Sequence, residues 1–328
     1  MVIPDEMQKC VVFIGYRRRT DQSVVQCGSA FWVVRPRPHF PNENLAYLIT
    51  AGHVIKGITN KNIDTIILRI NCADGTWAYT ETPAKDWVFH DDPAADVAAL
   101  SIGFHTSTHD HRAWDMKWSV TPELIRKHSI GPGDEVFFIG LFTKHYGTTK
   151  NIPIVRMGNI AAMPLPDNPV TTKIGPMVSY LTEARSIGGL SGSPVFVDIY
   201  GSLRRAPFHF TEEGGAQFFL LGLVHGHYDE EDVSGDEVVD DGLQKTKVNM
   251  GIAVVIPVER IFEVLGKFSK VEERESRERL KRETPTMDSA DVEPTQRTPG
   301  VDGVDIPIPT RPQFFGDLEK AARKKHGS

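Results

Sequence analysis

Several classes of protein are excluded by what this sequence has little of. No apolar run approaches the roughly 20 residues that a bilayer-spanning helix needs, so no membrane partner is expected. The amino terminus, MVIPDEMQKC, lacks the basic stretch and apolar core of a secretory leader. Cysteine is scarce: Cys10, Cys27 and Cys72 are widely spaced and odd in number. That pattern suits reduced thiols in the cytoplasm better than a disulfide framework. Positive charge is also short. With 37 Lys and Arg against 43 Asp and Glu, the net charge is −6, the wrong sign for a chain held to nucleic acid through phosphates. No internal repeat of about 20 to 50 residues is present, which excludes solenoids and propellers.

What is present is β-structure. From about residue 10 to 258, short runs such as CVVFIGY, AYLITA, DTIILRI, DVAALSIG, DEVFFIGLF, SPVFVDI and NMGIAVVIPV alternate with turn residues. This spacing predicts an antiparallel all-β fold. A His-, Thr- and Trp-rich stretch near 104–120 divides the runs into two groups, about 10–105 and 120–258, so two packed barrels are expected. After Pro257 the period changes. Ile261, Phe262, Leu265 and Phe268 recur at helical spacing and predict a closing helix over 259–268. Residues 269–328 then read as a charged helical extension and a disordered tail, the Pro- and Asp-rich part spanning 284–309. The last segment, with Phe314, Phe315 and Leu318 before a basic cluster, reads as a solvated tail tip, with a short helix that binds a protein partner as the alternative.

One stretch, IGGLSGSPVF, crowds small residues around Ser191. A serine hydroxyl is a weak nucleophile unless a base takes its proton and a third group orients that base. YLITAGHVI sets His53 just after an apolar strand, and DPAADVAALSI sets Asp96 at the head of another. All three stand at strand edges, where a rigid scaffold presents side chains to a cleft.

These three boxes, TAGHV, DVAALSI and GLSGSP, resemble those of the chymotrypsin/trypsin-like serine peptidases, in that family's order His, Asp, Ser. GPGDEVFFIG, VRMGNIAAM and GIAVVIPV further resemble strands of bacterial HtrA-like trypsin-fold domains, although no PDZ domain follows. The resemblance covers roughly residues 10–268. It implies two six-stranded antiparallel barrels and a serine endopeptidase working through an acyl-enzyme. His53, Asp96 and Ser191 would be catalytic, and the amides of Gly189 and Ser191 would form the oxyanion hole. A polypeptide is the implied substrate and no cofactor is called for. A peptide-binding module of the same fold, or a self-processing peptidase with little general activity, is the alternative.

Further positions follow from the resemblance. Arg185, six residues before Ser191, falls where digestive relatives floor the specificity pocket and would disfavour Lys or Arg in a substrate. His225 stands where those relatives support the aspartate, and the strand through His225 and Gly226 would pair with an extended substrate. Leu190 replaces the aspartate that pairs with a new amino terminus in secreted members, so activation by clipping is not expected. Two clusters read as non-functional. The carboxylates of 229–241 lack the ligand spacing of a calcium loop. His105, His109 and His111 lack the cysteine or carboxylate pair of a zinc site and read as a solvated loop between the two strand groups.

Overall fold

In a computed structural model, the described residues are 3–103, 107–172, 174–184, 189–199, 218–229, 249–283, 297–299 and 305–307. The chain divides into two compact units, Met1–Ser276 and Arg277–Ser328. Arg185, most of the acidic 229–241 stretch, His105 and nearly all of the tail beyond 283, Phe314 and Phe315 included, lie outside the described residues.

The first unit opens with a one-turn helix α1 (Asp5–Gln8) and strands β1 (Val11–Arg17), β2 (Val24–Arg37) and β3 (Phe40–Ala51). Helix α2 (Gly52–Thr59) follows directly on β3, before β4 (Thr65–Asn71), β5 (Trp77–Pro83), β6 (Val88–Phe89), β7 (Val97–Ser101) and β8 (Trp114–Asp115). They form one eight-stranded sheet in the order β5-β4-β1-β2-β3-β7-β6, with β8 parallel to β2.

The second half begins with α3 (Pro122–His128), which Thr121 caps through its hydroxyl. Then come β9 (Glu135–Gly140), β10 (Ile154–Ala162), the hairpin β11 (Val170–Thr172) and β12 (Gly175–Met177), β13 (Tyr180–Glu183), β14 (Pro194–Asp198), β15 (Phe218–Asp229) and β16 (Asn249–Pro257). Six of these close into a barrel, β10-β13-β16-β15-β14-β9. Strands such as β9 and β14 are buried along almost their whole length, as a barrel wall covered on both faces requires.

Two barrels are expected from the sequence, and among the described residues hydrogen-bonded closure is found in the second half alone. In the first half the ladder ends at β5 and β6, which are one chain segment broken by a 3-10 turn at Ala84–Asp86. There Trp87 N–H bonds back to the Ala84 carbonyl, so the turn satisfies locally a backbone donor that a continuous ladder would have used. The apolar side chains of both halves nonetheless join one core, with Phe31, Trp32 and Tyr47 from the first and Phe137, Phe138 and Phe196 from the second.

Helix α4 (Val258–Gly266) buries Val258, Ile261, Val264 and Leu265. Phe262, expected on that face, is 42% exposed, because the buried stripe is centred one position away. Phe268 packs on Tyr47, ring centroids 5.4 Å apart. Helix α5 (Ser269–Glu283) is charged throughout but not wholly solvated at its start. Glu272 accepts from the Tyr47 hydroxyl and lies 2.5 Å from Arg35, which also donates to the Leu265 carbonyl at 2.9 Å. Ser276, one turn on, is fully buried. The second unit, by itself, contains the last residues of α5 and a short pair, Arg297–Pro299 with Asp305–Pro307.

The histidine-rich stretch departs from expectation at His111. It is buried, its Nε2 accepts from the Asn71 amide at 3.0 Å, and its Nδ1 donates to the Lys9 carbonyl at 2.8 Å. A solvated loop histidine would leave those β1-flanking and β4 backbone groups unmatched. Burial pushes its pKa down to about 4.

Candidate active site

Asp96 is the centre of the site. It ends the 3-10 turn Pro93–Ala95 in a left-handed conformation, φ 48° and ψ 40°, which aspartate tolerates better than most residues. The reversal aims its carboxylate under the amino terminus of α2. Ala51, the residue before that helix, offers no side-chain cap, and Asp96 supplies one from another strand. Its Oδ1 accepts the His53 amide at 2.7 Å and its backbone carbonyl accepts the Gly52 amide at 2.8 Å. A carboxylate is favoured there because helix amides converge on it.

The other carboxylate oxygen, Oδ2, takes two imidazoles. Nδ1 of His53 and Nδ1 of His225 each lie 2.6 Å from it. An ionised carboxylate only accepts, so both Nδ1 atoms carry hydrogen and both Nε2 atoms are left as acceptors. The Asp96 side chain is 1% exposed, His225 16% and His53 37%. Burial alone would raise the Asp96 pKa, but the hydrogen bonds from His225 and His53 outweigh it and hold the carboxyl at about 2. The Asp96 carboxylate is therefore ionised at any ordinary pH, and the His53 ring is the one turned toward solvent.

His225 reaches Asp96 through an irregularity in its strand. Pairing of β15 with β16 runs Val224↔Val255 and then Gly226↔Val254, leaving His225 as the extra residue of a bulge. A bulge re-aims a side chain that regular alternation would place on the wall. The same residue's carbonyl accepts the Ser191 hydroxyl at 3.0 Å. Among the described residues that is the Ser191 side-chain bond, and none joins Ser191 to His53. Thus Asp96, His53 and His225 are directly connected, and Ser191 is tied to them through His225.

The turn carrying Ser191 is bolted from both halves. Gly192 and Val224 exchange contact through the Gly192 N–H to the Val224 carbonyl at 2.8 Å, and Val224 N–H returns to the Ser193 carbonyl at 2.9 Å. Gly192 has φ +83°, and a Cβ there would lie 2.2 Å from the Ser29 carbonyl oxygen. Only glycine fits. Gly189, at φ +102°, would set a Cβ 2.9 Å from the Leu141 carbonyl oxygen. Among the described residues no acceptor faces the amides of Gly189 or Ser191. Gly226 borders open space, where an added Cβ would meet nothing within 4 Å.

His53, Asp96 and His225 also place three ligand atoms within 4.8 Å of one another. Their two Nδ1 to Oδ2 separations of 2.6 Å are hydrogen-bond lengths. Ligands on a tetrahedral zinc stand about 3.3 Å apart, given metal–ligand bonds near 2 Å. As arranged, the cluster is a proton-bonded network.

Sequence reasoning marked His53, Asp96, Ser191, Gly189, His225, Gly226 and Arg185; the first six meet at one place, and Arg185 lies outside the described residues. It missed Ser29. That residue is read locally as one small side chain in a strand, and its hydroxyl's partners, Leu141 and Gly189, lie 112 and 160 residues away.

No protein-family model matches the chain, and no curated protein does. Among solved structures, the MamO protease domain from Magnetospirillum magneticum in its apo form is similar with a TM-score of 0.43 and 15% identity, over 78% of this chain and 96% of that one. At that degree of overlap, function has to be read from this chain's own residues.

Proposed function

We propose that the chain is a serine endopeptidase of the chymotrypsin/trypsin-like kind, with Ser191 as nucleophile, His53 as general base and Asp96 as the orienting acid. The observation that carries this reading is the buried Asp96 carboxylate fixing His53 through both its Nδ1 and its backbone amide. A structural histidine needs one such bond. Two bonds that fix the ring and leave its Nε2 unused are what proton transfer needs.

In this mechanism the Ser191 hydroxyl turns about its Cα–Cβ bond from the His225 carbonyl to His53 Nε2. Ser191 Oγ attacks the substrate carbonyl while His53 takes the proton, and Asp96 stabilises the imidazolium. The carbonyl oxygen, now anionic, is met by the amides of Gly189 and Ser191. His53 then protonates the leaving amine, and water repeats the sequence in reverse to release the acyl group. The substrate strand has a place to lie. Beyond Leu223, β15 pairs with β16 on one side, while β14 ends at Pro194 opposite Leu223 on the other. Among the described residues no strand pairs with that side of β15 from His225 onward, and such a ladder suits an extended peptide.

A second reading is favoured by the Ser191 hydroxyl's bond to the His225 carbonyl: a module that holds such a peptide without cutting it. A fluorophosphonate probe separates the two. Covalent labelling of the wild-type chain, abolished in Ser191→Ala, is expected, since removing one triad member removes the unit's action. A wild-type chain that stays unlabelled, yet binds extended peptides, would establish the holding module.

A further inference from the structure

Ser29 belongs to β2, in the first sheet, and is fully buried. Its hydroxyl and amide are directed at the Ser191 loop and the strand behind it, and its carbonyl at the strand that leads into His53. Its hydroxyl donates to the Gly189 carbonyl at 2.8 Å and accepts the Leu141 amide at 2.9 Å. Its amide donates to the Ser191 carbonyl at 2.9 Å. Its carbonyl accepts the Thr50 hydroxyl at 2.7 Å, on the strand that leads into His53.

We infer that Ser29 is the positioning residue of the oxyanion loop, holding it in its working conformation from the first sheet without help from a chain terminus. This rests on the peptidase reading above. The geometry is specific. With the Gly189 carbonyl fixed on Ser29 Oγ, the 189–190 peptide plane is set. The Gly189 N–H stands one Cα away from that fixed plane, in a backbone whose φ of +102° only glycine adopts readily. The Ser191 carbonyl, held by the Ser29 amide, sets the far end of the same turn. Both oxyanion donors are thus referred to one residue.

The usual alternative device, a buried ion pair beside the nucleophile, has no acid to use here. The residue before Ser191 is Leu190, fully buried, with its Cδ2 within 3.0 Å of where a Gly140 Cβ would stand. An ammonium brought there would be buried without a partner, at a cost of several kcal/mol. Leu190 fixes the loop by packing, and Ser29 fixes it by direction.

The test is Ser29→Ala, with Ser29→Cys as its companion. Alanine leaves the Leu141 amide and Gly189 carbonyl without their partner. Cysteine refills the space but bonds weakly. In both variants kcat for a peptide substrate is expected to fall about 10²-fold, the loss seen when an oxyanion donor is misplaced, with KM within about threefold. Inhibition by a peptide boronate, whose tetrahedral adduct occupies the same donors, is expected to weaken by a similar factor. Amide exchange should quicken at Leu141 and across 189–193 and stay unchanged elsewhere. Restoration of kcat by cysteine would assign Ser29 to packing alone and overturn the proposal, as would unchanged kcat and exchange in folded Ser29→Ala. Should the wild-type chain prove inert to both probe and substrate, the peptidase reading fails, while the exchange comparison still decides whether Ser29 holds the loop.

Discussion

Changing Asp96 to Asn keeps the shape of the side chain and removes its charge, and the arrangement around it makes the outcome calculable. In the native site Oδ1 takes the His53 amide and Oδ2 takes two imidazole N–H groups. An amide has one oxygen. If that oxygen stays on the His53 amide, the NH2 group faces two N–H donors. If it turns to the imidazoles, the NH2 faces the helix amide. The first conflict is relieved only when both rings move their hydrogen to Nε2, and His53 can then no longer accept from Ser191. Turnover is expected to fall by about four orders of magnitude, the loss that accompanies a wrongly held tautomer in such a triad. At 1.36 kcal/mol per decade this is about 5.5 kcal/mol of barrier. Stability should change too. The carboxyl titrates at about 2 in the folded chain against an ordinary 3.8, a difference worth about 2 kcal/mol. Because the folded value is the lower one, this stabilisation is complete above about pH 4 and is lost as pH falls through 3.8 towards 2. Wild-type and variant chains should therefore differ in unfolding free energy at neutral pH and converge near pH 2. Second-order labelling by a fluorophosphonate gives the kinetic half, and urea midpoints from pH 7 to 2 give the other. Labelling of Asp96→Asn within tenfold of wild type would refute the assignment of Asp96 as the orienting acid.

Two further expectations concern stability. A chain ending at Lys270 loses Glu272, stranding the Tyr47 hydroxyl and the half-buried Arg35. It should lose about 1–3 kcal/mol relative to a chain ending at Ser276, the cost of leaving such groups unmatched, and equal melting temperatures would contradict that. For His111 the folded pKa of about 4 lies below the ordinary 6.5, so the unfolded chain binds the extra proton between those values. Stability should fall by up to about 3 kcal/mol as pH drops from 6.5 to 4 and level off below. The slope should flatten in His111→Gln, and an unchanged slope by denaturant titration would show that His111 does not carry it.

The strands were legible because β-branched and aromatic runs bounded by turn residues leave little else to form, and β9 and β14 are such runs. His53, Asp96 and Ser191 were legible as three small-residue or turn contexts at strand edges. What escaped was decided by distant partners. His111 sits in a run of polar residues that reads as solvated, and only Lys9 and Asn71 make it a buried bridge. Ser29 lies in CGSAF, which announces a strand and nothing more. His225 was marked by its position, but its contact with Asp96 depends on a bulge that no local pattern specifies. The 3-10 turn at Ala84–Asp86, which leaves the first sheet unclosed by hydrogen bonds, is likewise invisible in a sequence that reads as strand on either side. Phe262 was misplaced because four apolar residues at helical spacing define a stripe only to within one position.

The geometry separates two kinds of residue that a loss of activity alone would not. Asp96 joins the first turn of α2, the head of β7 and the bulge of β15 through one buried side chain, so its replacement loosens the fold and the chemistry together. Ser191, by contrast, offers its side chain a single bond, to the His225 carbonyl, while the turn around it is held by backbone groups of Gly192, Ser193, Val224 and Ser29. Removing its hydroxyl leaves every one of those in place. A site built this way leaves the hydroxyl of Ser191, the proposed nucleophile, held by one bond on a frame of backbone groups. Activity lost with stability intact at Ser191, and both lost at Asp96, is the pattern that frame requires. If both substitutions cost the same stability, the serine would be part of the frame, and the freedom of rotation on which the proposed attack depends would not exist.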